Sequence, residues 1–247
     1  LETRFLEFVE KALREAKLRT DWVDSNEAYE TVVLEYARHL LSAENQTFLT
    51  DFCDSLQPFI RAGLVNSLSQ TLIKLTAPGV PDIYQGSEAL NFSLVDPDNR
   101  REPDYPRLAQ QLRDADRNVF NQEASWRSGQ VNQFVTATLL RLRQDKPALF
   151  RRGDYVALIT HGEQAEKAIA FARTDGNDAV IVVAPRLVFA AASYTGAALW
   201  PQTSVALPEP LAGRRYRDLF TEEVFALNDT LELASAQWCW RVLVACD

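Results

Sequence analysis

The sequence predicts an α+β fold: a helical segment over residues 1–150, then an antiparallel β-sandwich over residues 151–247. Three observations predict it. Apolar residues up to Phe150 recur at three- and four-residue spacing, the period of helices that bury one face. From Gly153 onward the chain changes to short β-prone runs separated by turn residues. At 247 residues and 47% apolar content, the chain is long enough for one or two domains with a sizeable core.

Glu2 to Leu18 has an amphipathic helical pattern, with Phe5, Leu6, Val9, Leu13 and Ala16 on one side. Glu7, Lys11, Arg14 and Glu15 form its polar, solvated face. Arg19 to Ser25 is a connecting loop that carries Trp22. Asp24, with Glu27 three residues on, fits an N-cap and capping acid, so the next helix runs from Glu27 to about Ser42. A shorter helix, Thr47 to Leu56, stops before Pro58. Phe59 to Leu75 follows, with Leu64, Leu68, Leu72 and Leu75 on one stripe.

Pro78-Gly79-Val80-Pro81 is a rigid turn, since each proline fixes its own φ. Asp82-Ile83-Tyr84 is short, β-prone and bounded by breakers, and reads as a brief strand ended by Gln85-Gly86. Asp96 to Arg101 is too polar for a core and reads as a loop. Helices follow over Pro106 to Phe120 and Val131 to Gln144, the second ended by Lys146-Pro147. Strand patterns then occupy Tyr155–Thr160, Ala168–Arg173 and Ala179–Ala184, with Asp175-Gly176 as a hairpin turn between the last two. Weaker runs lie at Ser204–Leu207, Tyr216–Leu219, Glu222–Phe225, Thr230–Leu233 and Gln237–Ala245. Ala190 to Ala198 is rich in small residues and reads as a loop.

A net charge of −8 argues against a nucleic-acid partner and against an anionic membrane surface. No apolar run reaches spanning length. Cys53, Cys239 and Cys246 lack metal-ligand spacing and read as reduced thiols in a cytoplasmic protein. His39 and His161 are far apart in sequence, so neither a zinc site nor a histidine-based nucleophile relay suggests itself. Methionine is absent and a helical pattern is already running at the first residues, so the chain reads as the C-terminal piece of a longer protein.

Pro78 to Glu88, PGVPDIYQGSE, resembles the eighth-strand signature of the α-amylase superfamily of (β/α)8 barrels. Leu94 to Arg101 with Asp104-Tyr105, Arg14 to Glu30, and Asn66 to Gly79 resemble one branch of that superfamily closely. The resemblance covers about the first half of the chain. It implies that residues 1–150 carry the last strand and helix of a barrel whose other strands precede Leu1. The implied activity is an intramolecular transglycosylation that turns the reducing-end α-1,4 linkage of a maltooligosaccharide into α,α-1,1, with no cofactor and no metal. The implied partners are that substrate and the missing N-terminal part of the barrel. The other readings are a different glucanotransferase or hydrolase of the superfamily, and a non-catalytic carbohydrate-binding or structural module.

In this superfamily an Asp-x-x-x-Arg after strand eight often holds glucose hydroxyls, which places Asp96 and Arg100 as sugar contacts. Without the resemblance, an ion pair bracing the loop is the simpler reading. Arg101 could reach the sugar or brace the same loop; Asp98 and Asn99 are turn formers first. Trp22 offers an aromatic platform for a pyranose or plugs a gap between helices. Lys17 and Glu27, polar neighbours of that loop, complete the substrate-binding candidates, with a solvated helix end and a capping acid as their plainer roles. No catalytic residue is assigned. The superfamily's three carboxylates come from strands four, five and seven, and neither His39-Leu40 nor His161-Gly162 makes the His-Asp pair of the third.

Overall fold

A computed structural model of the chain describes residues 1–191 and 195–246. They form two compact units, one of residues 1–58 with 91–103, the other of residues 59–90 with those from 104 onward. Helices occupy the chain up to Arg152, and antiparallel strands begin at Asp154.

The first unit contains α1 (Glu2–Ala16), α2 (Glu27–Leu40) and the start of α3 (Gln46–Thr76). Helix α1 ends on Lys17 in the left-handed conformation, φ 52°. The N-cap of α2 is Asn26, whose side chain accepts from Tyr29 N at 3.1 Å, and not Asp24 as the spacing suggests. Asn26 directly precedes the first helical residue, within reach of the third free amide of the helix. The Asp24 amide is instead taken up by Asp21 Oδ1 at 2.7 Å. Few side chains of this unit are buried: Thr20, Glu30 and Ala37 are the fully covered ones among its described residues. Polar contacts therefore carry much of its definition.

Helix α3 runs unbroken through Pro58, where two helices were expected. Proline removes one hydrogen bond and crowds the carbonyl four residues back, a local cost of about 3 kcal/mol. The turns on either side keep their own hydrogen bonds, so the helix continues. The boundary between the compact units falls at this proline.

The second unit places the rest of α3 with α4 (Tyr105–Asp114), α5 (Glu123–Ser128), α6 (Gln130–Asp145) and α7 (Pro147–Arg152). Pro106 lies in the first turn of α4, as the pattern requires. The helix stops at Asp114 and not at Phe120, because Asp116 accepts from Asn118 N at 2.8 Å and opens a separate 3-10 turn. Pro147 ends one helix and starts the next, which the sequence did not reveal. Gly129, at φ 81°, separates α5 from α6; a Cβ there would sit 2.4 Å from Leu90 N, so only glycine fits.

Asp82-Ile83-Tyr84 pairs with no strand among the described residues. An isolated three-residue extended segment has no ladder to join, whatever its propensity. Tyr84 is half exposed.

Six strands form one sheet in the order β1-β3-β4-β9-β6-β7: β1 (Asp154–Ala157), β3 (Ala168–Asp175), β4 (Asp178–Pro185), β6 (Arg214–Asp218), β7 (Val224–Leu227) and β9 (Arg241–Cys246). A second sheet has the order β2-β5-β8: β2 (Thr160–His161), β5 (Ser204–Ala206) and β8 (Thr230–Glu232). All pairings are antiparallel. The β3–β4 hairpin pairs Asp175 with Asp178, so Gly176 and Asn177 make the turn; Gly176 takes φ 59° at the position that demands it. Strand β4 is buried along nearly its whole length, which explains its unalternating Ala179–Ala184 run. The expected loop around Ala190 instead contains a short helix, α8 (Gly196–Leu199), started by Thr195 Oγ1 on Ala198 N; residues 192–194 lie outside the described ones.

One apolar cluster joins Val65, Leu68, Leu72 and Leu75 of α3, Val135, Leu139 and Leu142 of α6, and Ile181, Val183 and Leu243 of the sheet. Leu64, placed on this stripe by its spacing, is only partly buried. The buried indole of Trp240 donates to Ser69 Oγ at 3.1 Å, tying β9 to α3.

Candidate functional site

Residues 91–103 fold with α1 and α2, and the loop is set by two basic side chains of α1, Arg4 and Lys11. Arg4 donates from Nε and Nη2 to the two oxygens of Asp98, at 2.9 and 2.7 Å. Its Nη2 also donates to Phe92 O at 2.8 Å. Lys11 Nζ donates to Asp96 O at 2.6 Å and lies 3.7 Å from Asp96 Oδ2. Arg14 forms a two-pronged pair with Glu30 at 3.0 and 2.8 Å and also meets Glu10. The expected solvated face of α1 is thus in part a binding face. Arg4, Lys11 and Arg14 lie seven and three residues apart, about two turns and one turn along the helix, and so point the same way.

Asp98 is the anchor. Besides Arg4 it accepts from Leu94 N at 2.7 Å and pairs with Arg101 Nε at 2.9 Å, and its side chain is 9% exposed. The Arg4 guanidinium and the Leu94 amide hold its carboxyl down at about 2. Its role exceeds the turn-forming one that its neighbours in sequence suggest, because its main partner lies 94 residues away.

Asp96 and Arg100 are brought together as an ion pair on this anchored loop. Asp96 Oδ1 is covered and accepts no hydrogen bond, although Arg100 Nε lies against it. The side chains are 42% and 72% exposed, so the pair keeps donor and acceptor capacity toward solvent. A carboxylate and a guanidinium so placed can accept from and donate to vicinal hydroxyls. Arg101 pairs with Asp98 from an exposed position, its Nε also donating to the Asp98 carbonyl at 3.1 Å. That geometry fits a brace for the loop.

Trp22 stands apart from this pair. Its ring lies under the Arg14 guanidinium at 4.9 Å, and its indole N–H donates to Glu15 at 3.1 Å. The ring remains 55% exposed. Lys17 caps α1 and Glu27 opens α2, both exposed. Neither forms an ion pair with the other or with Asp96 among the described residues. Asp21, between them, is held below its ordinary value by the amides of Asp24 and Val23 and, to a lesser extent, by Lys17. Among the described residues no group of three His, Cys, Asp or Glu side chains could hold a metal ion. No helix among them is long and apolar enough to cross a membrane.

Glu30 sits between Arg14 and the Thr20 hydroxyl, which together hold its carboxyl down at about 2 from an ordinary 4.5. Asp98 likewise falls from 3.8. A depressed carboxylate stabilises the fold above its unfolded value, and that contribution is lost as pH falls through the folded value. The first unit should therefore lose stability between about pH 4.5 and pH 2. Melting followed by circular dichroism across that window checks this, and Glu30→Gln should flatten the profile. An acid response in Glu30→Gln as steep as in the wild type would remove Glu30 from the account.

No family model matches the chain. A protein of Mycobacterium tuberculosis named as a maltooligosyl trehalose synthase is 33% identical over 209 residues, covering 85% of this chain and 24% of that protein. The structure of maltooligosyltrehalose synthase from Arthrobacter ramosus superposes with TM-score 0.77 at 30% identity, over 100% of this chain and 30% of that one. A further crystal structure of a maltooligosyl trehalose synthase gives TM-score 0.75 at 25% identity over 99% of this chain. The chain thus spans 24–30% of the length of these relatives. The resemblance read from Pro78 to Arg101 is borne out and extends well past the first half of the chain.

Proposed function

We propose that this chain, similar over its whole length to part of the maltooligosyltrehalose synthases, is the C-terminal portion of such an enzyme. The parent converts the reducing-end α-1,4 linkage of a maltooligosaccharide to α,α-1,1 by intramolecular transglycosylation, a (1→4)-α-D-glucan 1-α-D-glucosylmutase working in the cytoplasm. Residues 1–150 complete its catalytic barrel, with the remaining strands supplied by the N-terminal part, and residues 151–247 form a C-terminal β-sandwich. The reading rests on the 100% coverage at 30% identity and TM-score 0.77 with the Arthrobacter ramosus enzyme. Exposed Val32, Tyr36, Phe48 and Phe52 on α2 and α3 suit a segment that packs against more protein.

Within that enzyme the anchored loop serves the substrate. Asp96 and Arg100 hold hydroxyls of a glucose on the non-reducing side of the reacting bond. Trp22, Lys17 and Glu27 are further candidate sugar contacts set apart from that pair, and Arg101 braces the loop through Asp98. In the full-length enzyme, Asp96→Ala or Arg100→Ala should lower kcat/KM on maltopentaose by about ten- to a hundredfold, the worth of one charge-assisted hydrogen bond of about 1.5–3 kcal/mol. Unchanged kinetics in both variants would reduce the pair to a loop brace. Shortened or lengthened maltodextrins in place of a trehalose-ended sugar would assign the parent to another transferase or to a hydrolase.

A further inference from the structure

The second unit contains a cleft of about 340 Å³ that the loop chemistry above does not use. It lies beside β6, β7, β8 and β9, and its walls include Asp218, Phe225, Glu232, Gln237, Trp238 and Arg241. Its volume is at the lower end of the ~300–1,000 Å³ typical of small-molecule sites.

The base of the cleft is a prebuilt polar pair. Arg241 Nε donates to Asp218 Oδ2 at 3.1 Å, with side chains only 7% and 5% exposed. Asp218 Oδ1 accepts from Phe220 N at 2.9 Å, and the Arg241 guanidinium lies 4.8 Å from the Phe225 ring centre. These contacts fix both side chains before any ligand arrives. The aromatic walls are also held: Trp238, half-buried, stacks on Phe120 at 5.8 Å.

Charge selects the ligand class. Arg241 is already neutralised by Asp218, while Glu223 and Glu232 are exposed at the rim. An anionic ligand meets those carboxylates, and a small cation would pair with them but leave the hydrogen-bonding groups of Gln237 and Thr230 unused. A neutral ligand with an apolar face for Trp238 and hydroxyls for Glu232, Gln237 and Thr230 satisfies all of the walls at once. That description is a saccharide.

We propose that this cleft is a second maltooligosaccharide-binding site, carried by the strand-rich part of the chain and built on residues separate from the Asp96 loop. The choice of α-glucan rests on the function proposed above; the saccharide character rests on the cleft itself.

The test is titration of the chain with maltotriose, followed by tryptophan fluorescence and by saturation-transfer NMR, with choline as the cationic control. Saturable maltotriose binding is expected, at least tenfold weaker in Trp238→Ala and in Glu232→Gln. Glu232 is exposed, so its variant keeps the test open should Trp238→Ala unfold. Absence of saturable maltotriose binding by the folded chain would overturn the proposal. So would binding undiminished in both cleft variants, or choline occupying the cleft in preference to the sugar. The kinetic test of Asp96 and Arg100 can fail with this binding intact, and the reverse, so the two readings stand or fall separately.

Discussion

Incubated with maltopentaose, the 247-residue chain should return the sugar unchanged, with no trehalose-ended product and no shorter maltodextrin. Retaining glycoside chemistry needs a nucleophilic carboxylate and an acid/base carboxylate on opposite sides of one bond, about 5–5.5 Å apart. The carboxylates of the candidate loop are engaged otherwise. Asp98 is held ionised by Arg4 and Leu94 and cannot supply a proton near neutral pH. Asp96 is paired with Arg100 and Lys11. Groups that position hydroxyls, without a nucleophile and an acid/base placed across the bond, cannot form a glycosyl-enzyme. Chromatography of the products, after removal of contaminating amylases, measures this. Turnover that disappears with Asp96→Ala or Glu88→Ala would mean that the chain carries its own catalytic pair.

Arg173→Met should cost the second unit about 3–5 kcal/mol, because hydrogen bonds to a charged donor and the carbonyls they satisfy are lost together. Arg173 is 2% exposed in the middle of β3. Its guanidinium donates to Leu149 O at 3.0 Å, Gly153 O at 2.9 Å, Thr76 O at 3.3 Å and, from Nε, Asp154 O at 3.3 Å. These carbonyls belong to the end of α7, the turn into β1 and the end of α3. Methionine fills much of the volume and satisfies none of them. Burial pushes the Arg173 pKa down from its ordinary value, and guanidinium groups stay charged in proteins. Arg143 donates to Leu75 O at 3.0 Å and Gly79 O at 3.1 Å from a more open position, so Arg143→Met should cost less. Urea unfolding at constant m-value reads both. A midpoint for Arg173→Met within experimental error of the wild type would show that solvent reaches those carbonyls.

The sequence missed Arg173 for a physical reason. An arginine between Ala172 and Thr174 looks like the outward residue of an alternating strand. Its side chain enters the interior because two helices end there with carbonyls that can still accept, and helix ends leave such acceptors wherever they fall. Asp98 was missed in the same way. In a run of polar turn residues nothing local separates Asp96 from Asp98. The separation comes from Arg4 on α1, which takes one carboxylate and leaves the other facing Arg100. Pro58 shows the opposite error: a strong local signal was read as a helix end, and the chain continued.

What the sequence determined by itself is therefore local. The helical period, the change of character at Gly153, the Gly176 turn and the prolines at helix starts follow from sterics and burial within a few residues. The PGVPDIYQGSE signature is also contiguous, so family was legible where pairing was not. The tertiary structure alone decided which carboxylate anchors the loop and which faces outward, which arginine is buried, and which extended segment finds a partner strand. Each of those outcomes depends on groups 20 to 100 residues apart in sequence, as Arg4 and Asp98 or Arg173 and Thr76 are. Hydrogen bonding and desolvation act on whatever folding places side by side, and a period of 2 or 3.6 carries no record of it.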